Sequence, residues 1–123
     1  MDARLRALVL DDEQDLTFML SHVLEFHSFE VNAVNRPIEA IDLLKTRKFD
    51  LFITDFKMDE MDGFQVIDVV RERLGLRELK IMLLTFRDFS EEELRIVSRS
   101  NVVYLKKPFL PNELVQKIEN LFA

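Results

Sequence analysis

Four apolar runs in this sequence each stop at residues with chemistry to offer. "ALVL" runs into Asp11-Asp12, "LFIT" into Asp55, "IMLL" into Thr85, and "VVYL" into Lys106-Lys107 followed by Pro108. If these ends meet, three carboxylates lie together, and two unit charges about 4 Å apart repel by on the order of 4 kcal/mol at an effective dielectric of 20. A cation must then be present. Oxygen ligands suit a hard divalent ion, and Mg²⁺ typically takes one or two carboxylates, keeps several waters and reserves a position for a phosphate oxygen. A lysine ammonium adds a second positive charge, which pairs with a carboxylate when the site is empty and with a phosphoryl oxygen when it is full. Thr85 can donate one hydrogen bond to the same oxygen. A carboxylate facing Mg²⁺, a hydroxyl and an ammonium is equipped to attack phosphorus and form an aspartyl-phosphate, because that reaction needs only positioning and charge neutralisation.

Whether the ends meet depends on the elements that carry them. The runs at 5–10, 51–54, 81–84 and 102–105 read as strands buried on both faces, each too apolar for a one-sided sheet. "FEVNAV" at 29–34 alternates and reads as an edge strand. Helical periodicity follows each strand. Leu16, Leu20, Val23 and Leu24 form one apolar stripe, Phe64, Ile67, Val70, Arg71 and Leu74 another, and Leu114, Ile118, Leu121 and Phe122 a third. Pro37 and Pro111 suit first-turn positions of the second and fifth helices, and Ser90 with Glu93 predicts a capping box for the fourth. That fourth helix carries the thinnest stripe, Leu94 and Val97. Five β-α repeats with short connections imply a parallel sheet, right-handed crossovers and helices on both faces: a three-layer α/β domain. In such sheets ligands bind at the carboxyl ends of the strands, which is where Asp11, Asp12, Asp55, Thr85 and Lys107 fall.

Composition narrows the function classes. At 123 residues, 48% of them hydrophobic, and with a mean hydropathy of -0.01, the sequence fits a single globular domain spanning 1–123. A net charge of -6 and a pI near 4.9 oppose a phosphate backbone, so no direct nucleic-acid contact is expected. Cysteine is absent, which removes disulfides and thiolate metal sites and suits a reducing compartment. No signal peptide or apolar span long enough for a membrane is present, and a cytoplasmic location is expected. With only Gly63 and Gly75, a Gly-rich phosphate loop is absent.

Together "ALVLDDE", "LFITDFKMDEMDGF", "IMLLTF" and "VVYLKKPF" resemble the receiver domain of two-component response regulators, in the family's order and over essentially the whole sequence. The resemblance implies a flavodoxin-like (βα)5 receiver fold with a five-stranded parallel sheet of order 2-1-3-4-5. It implies Asp55 as phosphoacceptor, Asp12 as direct Mg²⁺ ligand, Asp11 acting mainly through bound water, and the backbone carbonyl of Lys57 completing the protein's ligands. Lys107, immediately before proline, matches the family's lysine, and the Lys107-Pro108 bond is expected to be cis. Thr85 and Tyr104 match its switch pair, through which phosphorylation remodels the face of helix 4, strand 5 and helix 5 as a population shift. The implied partners are a histidine kinase or histidine phosphotransfer protein upstream and a protein or output domain downstream. Such a domain is no turnover enzyme but promotes its own phosphorylation and dephosphorylation.

The sequence also departs from the family's pattern. Phe86 stands where a small residue is common, and a ring there is expected to overhang Asp55 and restrict phosphoryl transfer. Lys57 and Arg87 occupy positions that tune phosphoryl lifetime in the family, and Asp59 replaces a common proline. Val102 and Val103 replace a pair of aspartates that form dimer ion pairs in one DNA-binding subfamily, so a different partner surface is expected. Two rivals follow: a phosphorylation-independent pseudo-receiver that serves only docking, and a small phosphatase using an aspartyl-phosphate. The phosphatase needs a second Asp two positions after its nucleophile, where Lys57 stands. Of the remaining acids, Asp62 reads as a helix cap, Asp59 and Glu60 as solvated loop charge, and the run at 90–94 as a dipole-favoured helix start. His22 and His27 read as surface residues.

Overall fold

The computed structural model describes residues 4–123. Strand β1 (Leu5–Leu10), helix α1 (Gln14–Phe26), β2 (Phe29–Val34), α2 (Pro37–Thr46), β3 (Leu51–Asp55), α3 (Gly63–Asp68), β4 (Lys80–Thr85), α4 (Glu91–Arg99), β5 (Val102–Lys106) and α5 (Pro111–Leu121) alternate as expected. All pairings are parallel and the order is β2-β1-β3-β4-β5, the flavodoxin-like arrangement.

The period of two along each strand divides the core. Ala7, Val9, Leu51, Ile53, Met82 and Leu84 face α1 and α5, where they meet Leu20, Leu24, Leu114 and Ile118. Leu8, Leu10, Phe52, Ile81 and Leu83 face the opposite layer, where Ala40, Leu44, Val66, Val70 and Val97 cover them. A slip of one residue in any central strand would exchange these two sets, so packing on both faces fixes the register. Register in turn fixes where each strand ends.

Two expectations need correction. Strand β5 is not buried on both faces: Val103 and Tyr104 are half-buried, because β5 is the sheet's second edge and has a strand on one side only. Neither Val102, which is buried, nor Val103 offers an exposed apolar surface. The third helix does not run regularly to Leu74 either. It is α-helical to Asp68 and continues through Val69–Arg73 as a wider π turn, in which Leu74 N–H donates to Val69 O at 2.9 Å. Arg71, four residues past Ile67, lies on the buried face of this helix, where its guanidinium donates to the carbonyls of Leu76, Ser100 and Asn101. Arg71 therefore belongs to the buried stripe by position, not by polarity. Its charge is matched by three carbonyls, two of them at the carboxyl end of α4, where the helix dipole is negative. Gly75, at φ 69°, ends the segment and lets Leu76 N–H reach back to Val70 O at 3.0 Å.

The helix ends follow the sequence signals. Pro37 and Pro111 open α2 and α5, and reciprocal capping boxes join Ser90 to Glu93 and Asp62 to Gln65. No helix among the described residues is long and apolar enough to cross a membrane.

Candidate functional site

Strand order places β1 and β3 side by side at the centre of the sheet, with Leu10 opposite Thr54. Asp11 and Asp55 therefore leave the sheet at the same level on adjacent strands. Asp12 follows in the β1-α1 loop, and one carboxylate oxygen from each of Asp11, Asp12 and Asp55 lies within 4.8 Å of the others. Asp11 is fully buried, Asp55 is 8% exposed and Asp12 is open to solvent.

Asp11 is fixed from three directions. Its Oδ1 accepts from Glu13 N–H at 2.9 Å, its main-chain N–H donates to Val34 O at 3.2 Å, and its carbonyl accepts from Asn35 Nδ2 at 3.1 Å. Lys107 leaves the end of β5 through a cis Lys107-Pro108 bond, and its backbone N–H donates to Thr85 O at 2.7 Å. The buried ammonium then reaches across β4. Nζ donates to Asp55 Oδ1 at 2.9 Å and to Asp11 Oδ2 at 3.3 Å. Lys106 instead turns outward to Asp88.

The electrostatics follow from this crowding. Burial pushes the Asp55 carboxyl above its ordinary range, opposed by the Lys107 hydrogen bond and charge and aided by the charge of Asp12. Asp11 is also pushed up, by burial first, while the Glu13 amide and Lys107 pull it down and Asp55 adds to the rise. Burial alone would depress Lys107, but its hydrogen bond to Asp55 and the charges of Asp11 and Asp55 more than offset that, and its pKa is raised. The three carboxylate oxygens form a ligand set for a hard divalent cation, with the Lys107 ammonium beside it as a second positive charge. The residues present fit Mg²⁺.

Thr85 stands at the end of β4, one residue beyond Leu84, the partner of Asp55 across the sheet. Its hydroxyl is not turned toward Asp55. Oγ1 accepts from Arg87 N–H at 3.1 Å and donates to Arg87 O at 3.3 Å. Tyr104 lies on the far side of the same loop, edge to face with Phe89 at 5.3 Å between ring centres. The Phe86 ring centre is 5.2 Å from Lys107 Nζ, which puts it at the pocket's rim, yet the residue is 68% exposed. Lys57 is exposed, and Arg87 points away from the acids toward Phe56, Phe89 and Glu93.

Among the loop acids, Asp62 caps α3. Gly63 closes that loop: its N–H donates to Phe56 O at 2.6 Å, and a Cβ there would come within 2.6 Å of Leu83 Cδ2 and 3.1 Å of Phe56 Cα. Asp59 is exposed, but Glu60 is not simply solvated. Arg36, at the start of α2, holds it through two hydrogen bonds of 3.2 and 2.9 Å. Sequence reading also missed the support that Asn35 gives Asp11, since nothing in a one-dimensional spacing brings residue 35 to residue 11. His22 and His27 are exposed.

The chain is similar to known proteins over almost its whole length. The family model described as "Response regulator receiver domain" matches residues 7–119. The response regulator SaeR of Staphylococcus aureus is 30% identical over 117 residues, covering 94% of this chain and 50% of that protein. The chain thus spans about half the length of the curated relatives it matches. The structure of the chemotaxis protein CheY4 of Vibrio cholerae superposes with a TM-score of 0.87 at 28% identity, covering 97% of this chain and 99% of that one. A CheY-like receiver domain protein from Methanospirillum hungatei shares the fold, with a TM-score of 0.86 at 24% identity, over 98% and 95% of the two chains.

Proposed function

The chain belongs to the receiver domain family of response regulators, a family of signalling domains, and from that premise we propose that Asp55 accepts a phosphoryl group from a histidine kinase or a histidine phosphotransfer protein. The supporting observation is the constellation at the strand ends: a buried Asp55 carboxylate 2.9 Å from the Lys107 ammonium, with Asp11 and Asp12 beside it.

In the proposed reaction a carboxylate oxygen of Asp55 forms the new O–P bond while the P–N bond of a phosphohistidine breaks. The leaving imidazole nitrogen keeps the electron pair and takes up a proton. Asp11, Asp12, Asp55 and the main-chain carbonyl of Lys57 would hold Mg²⁺, which when bound neutralises charge on the transferring phosphoryl oxygens. Lys107 exchanges its carboxylate contact for a phosphoryl oxygen, which keeps an ammonium beside the growing negative charge. Thr85 rotates to donate its hydroxyl proton to a second phosphoryl oxygen, and Tyr104 follows inward. The domain then passes the signal through α4, β5 and α5 to a downstream protein or output domain, and its own residues promote the return to unmodified Asp55.

The decisive measurement is mass spectrometry of the intact chain after incubation with Mg²⁺ and acetyl phosphate. One added phosphoryl group is expected in wild type, and none in Asp55→Asn or when EDTA replaces Mg²⁺. A second reading, a docking module that no longer accepts phosphate, draws on the Phe86 ring beside Lys107. That reading predicts no labelling of wild type and labelling of Phe86→Ala. Equal labelling rates in the two proteins refute any obstruction by Phe86.

A further inference from the structure

The β4-α4 loop holds an arrangement that phosphoryl acceptance does not by itself require. Arg87 stands two residues past Thr85, with its guanidinium carbon 5.2 Å from the ring centre of Phe56 and 5.9 Å from that of Phe89. Its Nη2 donates to Glu93 Oε2 at 2.6 Å, in the first turn of α4. The Arg87 backbone meanwhile occupies the Thr85 hydroxyl from both sides, as donor and as acceptor. Phe89 is buried and packs edge to face against Phe56 and Tyr104, each at 5.3 Å.

We propose that Arg87 is a latch, a positioning residue that holds Thr85 and Tyr104 in their unswitched arrangement by clamping the β4-α4 loop to Glu93 and to the rings of Phe56 and Phe89. A threonine hydroxyl has one proton, and while that proton goes to Arg87 O it cannot go to a phosphoryl oxygen. Rotation of Thr85 must break both contacts with the Arg87 backbone, and the side chain of Arg87 holds that backbone in place by anchoring it to α4. The clamp sits where signal and output meet. Glu93 also accepts from Ser90 N–H at 2.9 Å, so one carboxylate both caps α4 and holds the latch. The Ser90 amide first and then the Arg87 charge keep the Glu93 carboxyl below its ordinary range. Phe89, wedged between Phe56 and Tyr104, transmits the loop's position to the Tyr104 ring. The existence of the latch stands on this geometry, and its consequence for signalling rests on the phosphoacceptor reading.

Tyr104 is the sole tyrosine and the chain has no tryptophan, so intrinsic fluorescence reports on this one ring. The test compares wild type, Arg87→Gln, Glu93→Gln and the double variant, using acrylamide quenching of Tyr104 in the protein alone and titration with beryllofluoride in saturating Mg²⁺. Glutamine at 93 preserves the capping hydrogen bond while removing the charge. Both single variants are expected to shift quenching in the same direction and to lower the half-saturating beryllofluoride concentration about three- to tenfold, the range a released exposed ion pair and cation–π contact would give. The double variant is expected to go no further than either single one. Unchanged quenching and half-saturation in both variants overturn the latch. A response in Arg87→Gln alone also overturns it, since Arg87 would then act without Glu93. If wild type does not respond to beryllofluoride at all, the phosphoacceptor reading fails and quenching alone decides the latch: a shift in both single variants upholds it and no shift overturns it.

Discussion

Replacing Lys107 by methionine removes the ammonium that contacts both Asp11 and Asp55 while keeping an unbranched apolar stem in its place. Each contact, near 3 Å, is worth on the order of 5 kcal/mol at an effective dielectric of 20, and desolvation of the ammonium cancels much of that sum. Removing one partner of a buried ion pair costs about 3 to 5 kcal/mol, because the other charge stays buried without compensation. Two features of the pocket reduce this figure: it opens to water at Asp12, and Asp11 and Asp55 already take up protons more readily than ordinary carboxyls. We therefore expect Lys107→Met to cost about 2 to 3 kcal/mol in EDTA at neutral pH, a fall in melting temperature of roughly 6–15 °C for a domain this size. Urea denaturation followed by circular dichroism measures it. Because the ammonium and a divalent cation answer the same carboxylates, Mg²⁺ is expected to stabilise the variant more than wild type. Lys106→Met, which loses only an exposed pair with Asp88, serves as control and is expected to stay within about 0.5 kcal/mol. A cost for Lys107→Met no larger than the control's, or an equal Mg²⁺ gain in both proteins, would refute the shared-field reasoning.

Asp55→Asn is expected to raise stability at pH 7 in EDTA, since burial makes the charged carboxylate unfavourable in the fold. A carboxyl raised in the folded state contributes stability that is fully present below its ordinary value near 3.8 and is lost as pH rises through its folded value. The advantage of Asp55→Asn should therefore shrink as pH falls from 7 toward 4, and an advantage that grows on acidification would contradict the sign. Arg71→Met leaves the carbonyls of Leu76, Ser100 and Asn101 without their donor and is expected to cost roughly 3 kcal/mol in denaturant unfolding. Arg71→Lys should recover less than half of that, since an ammonium cannot span the guanidinium fork. Gly63→Ala is expected to cost about 1 to 3 kcal/mol, because its Cβ meets Leu83 and the Phe56 backbone; a melting temperature equal to wild type would mean the loop yields freely.

Sequence alone settled the order of the elements and their carboxyl-end residues, because periodicity, proline placement and capping residues are local signals read within a few positions. Ser90 with Glu93 and Asp62 at its helix start were legible for that reason. The motif resemblance singled out Lys107, not Lys106, and the fold directs the first to the acids and the second to Asp88. Tertiary structure decided what depends on residues far apart in the chain. Arg36 meets Glu60, Asn35 steadies Asp11, and Arg71 serves carbonyls some thirty positions away, pairings that only the folded arrangement of strands and crossover helices brings together. The same holds for the loop after Thr85. The sequence marked Phe86 and Arg87 as unusual, but only packing shows Phe86 at the rim above Lys107 and Arg87 drawn from the acids by Glu93 and two buried rings, because the direction of a loop side chain is set by its tertiary neighbours and not by its position in the chain.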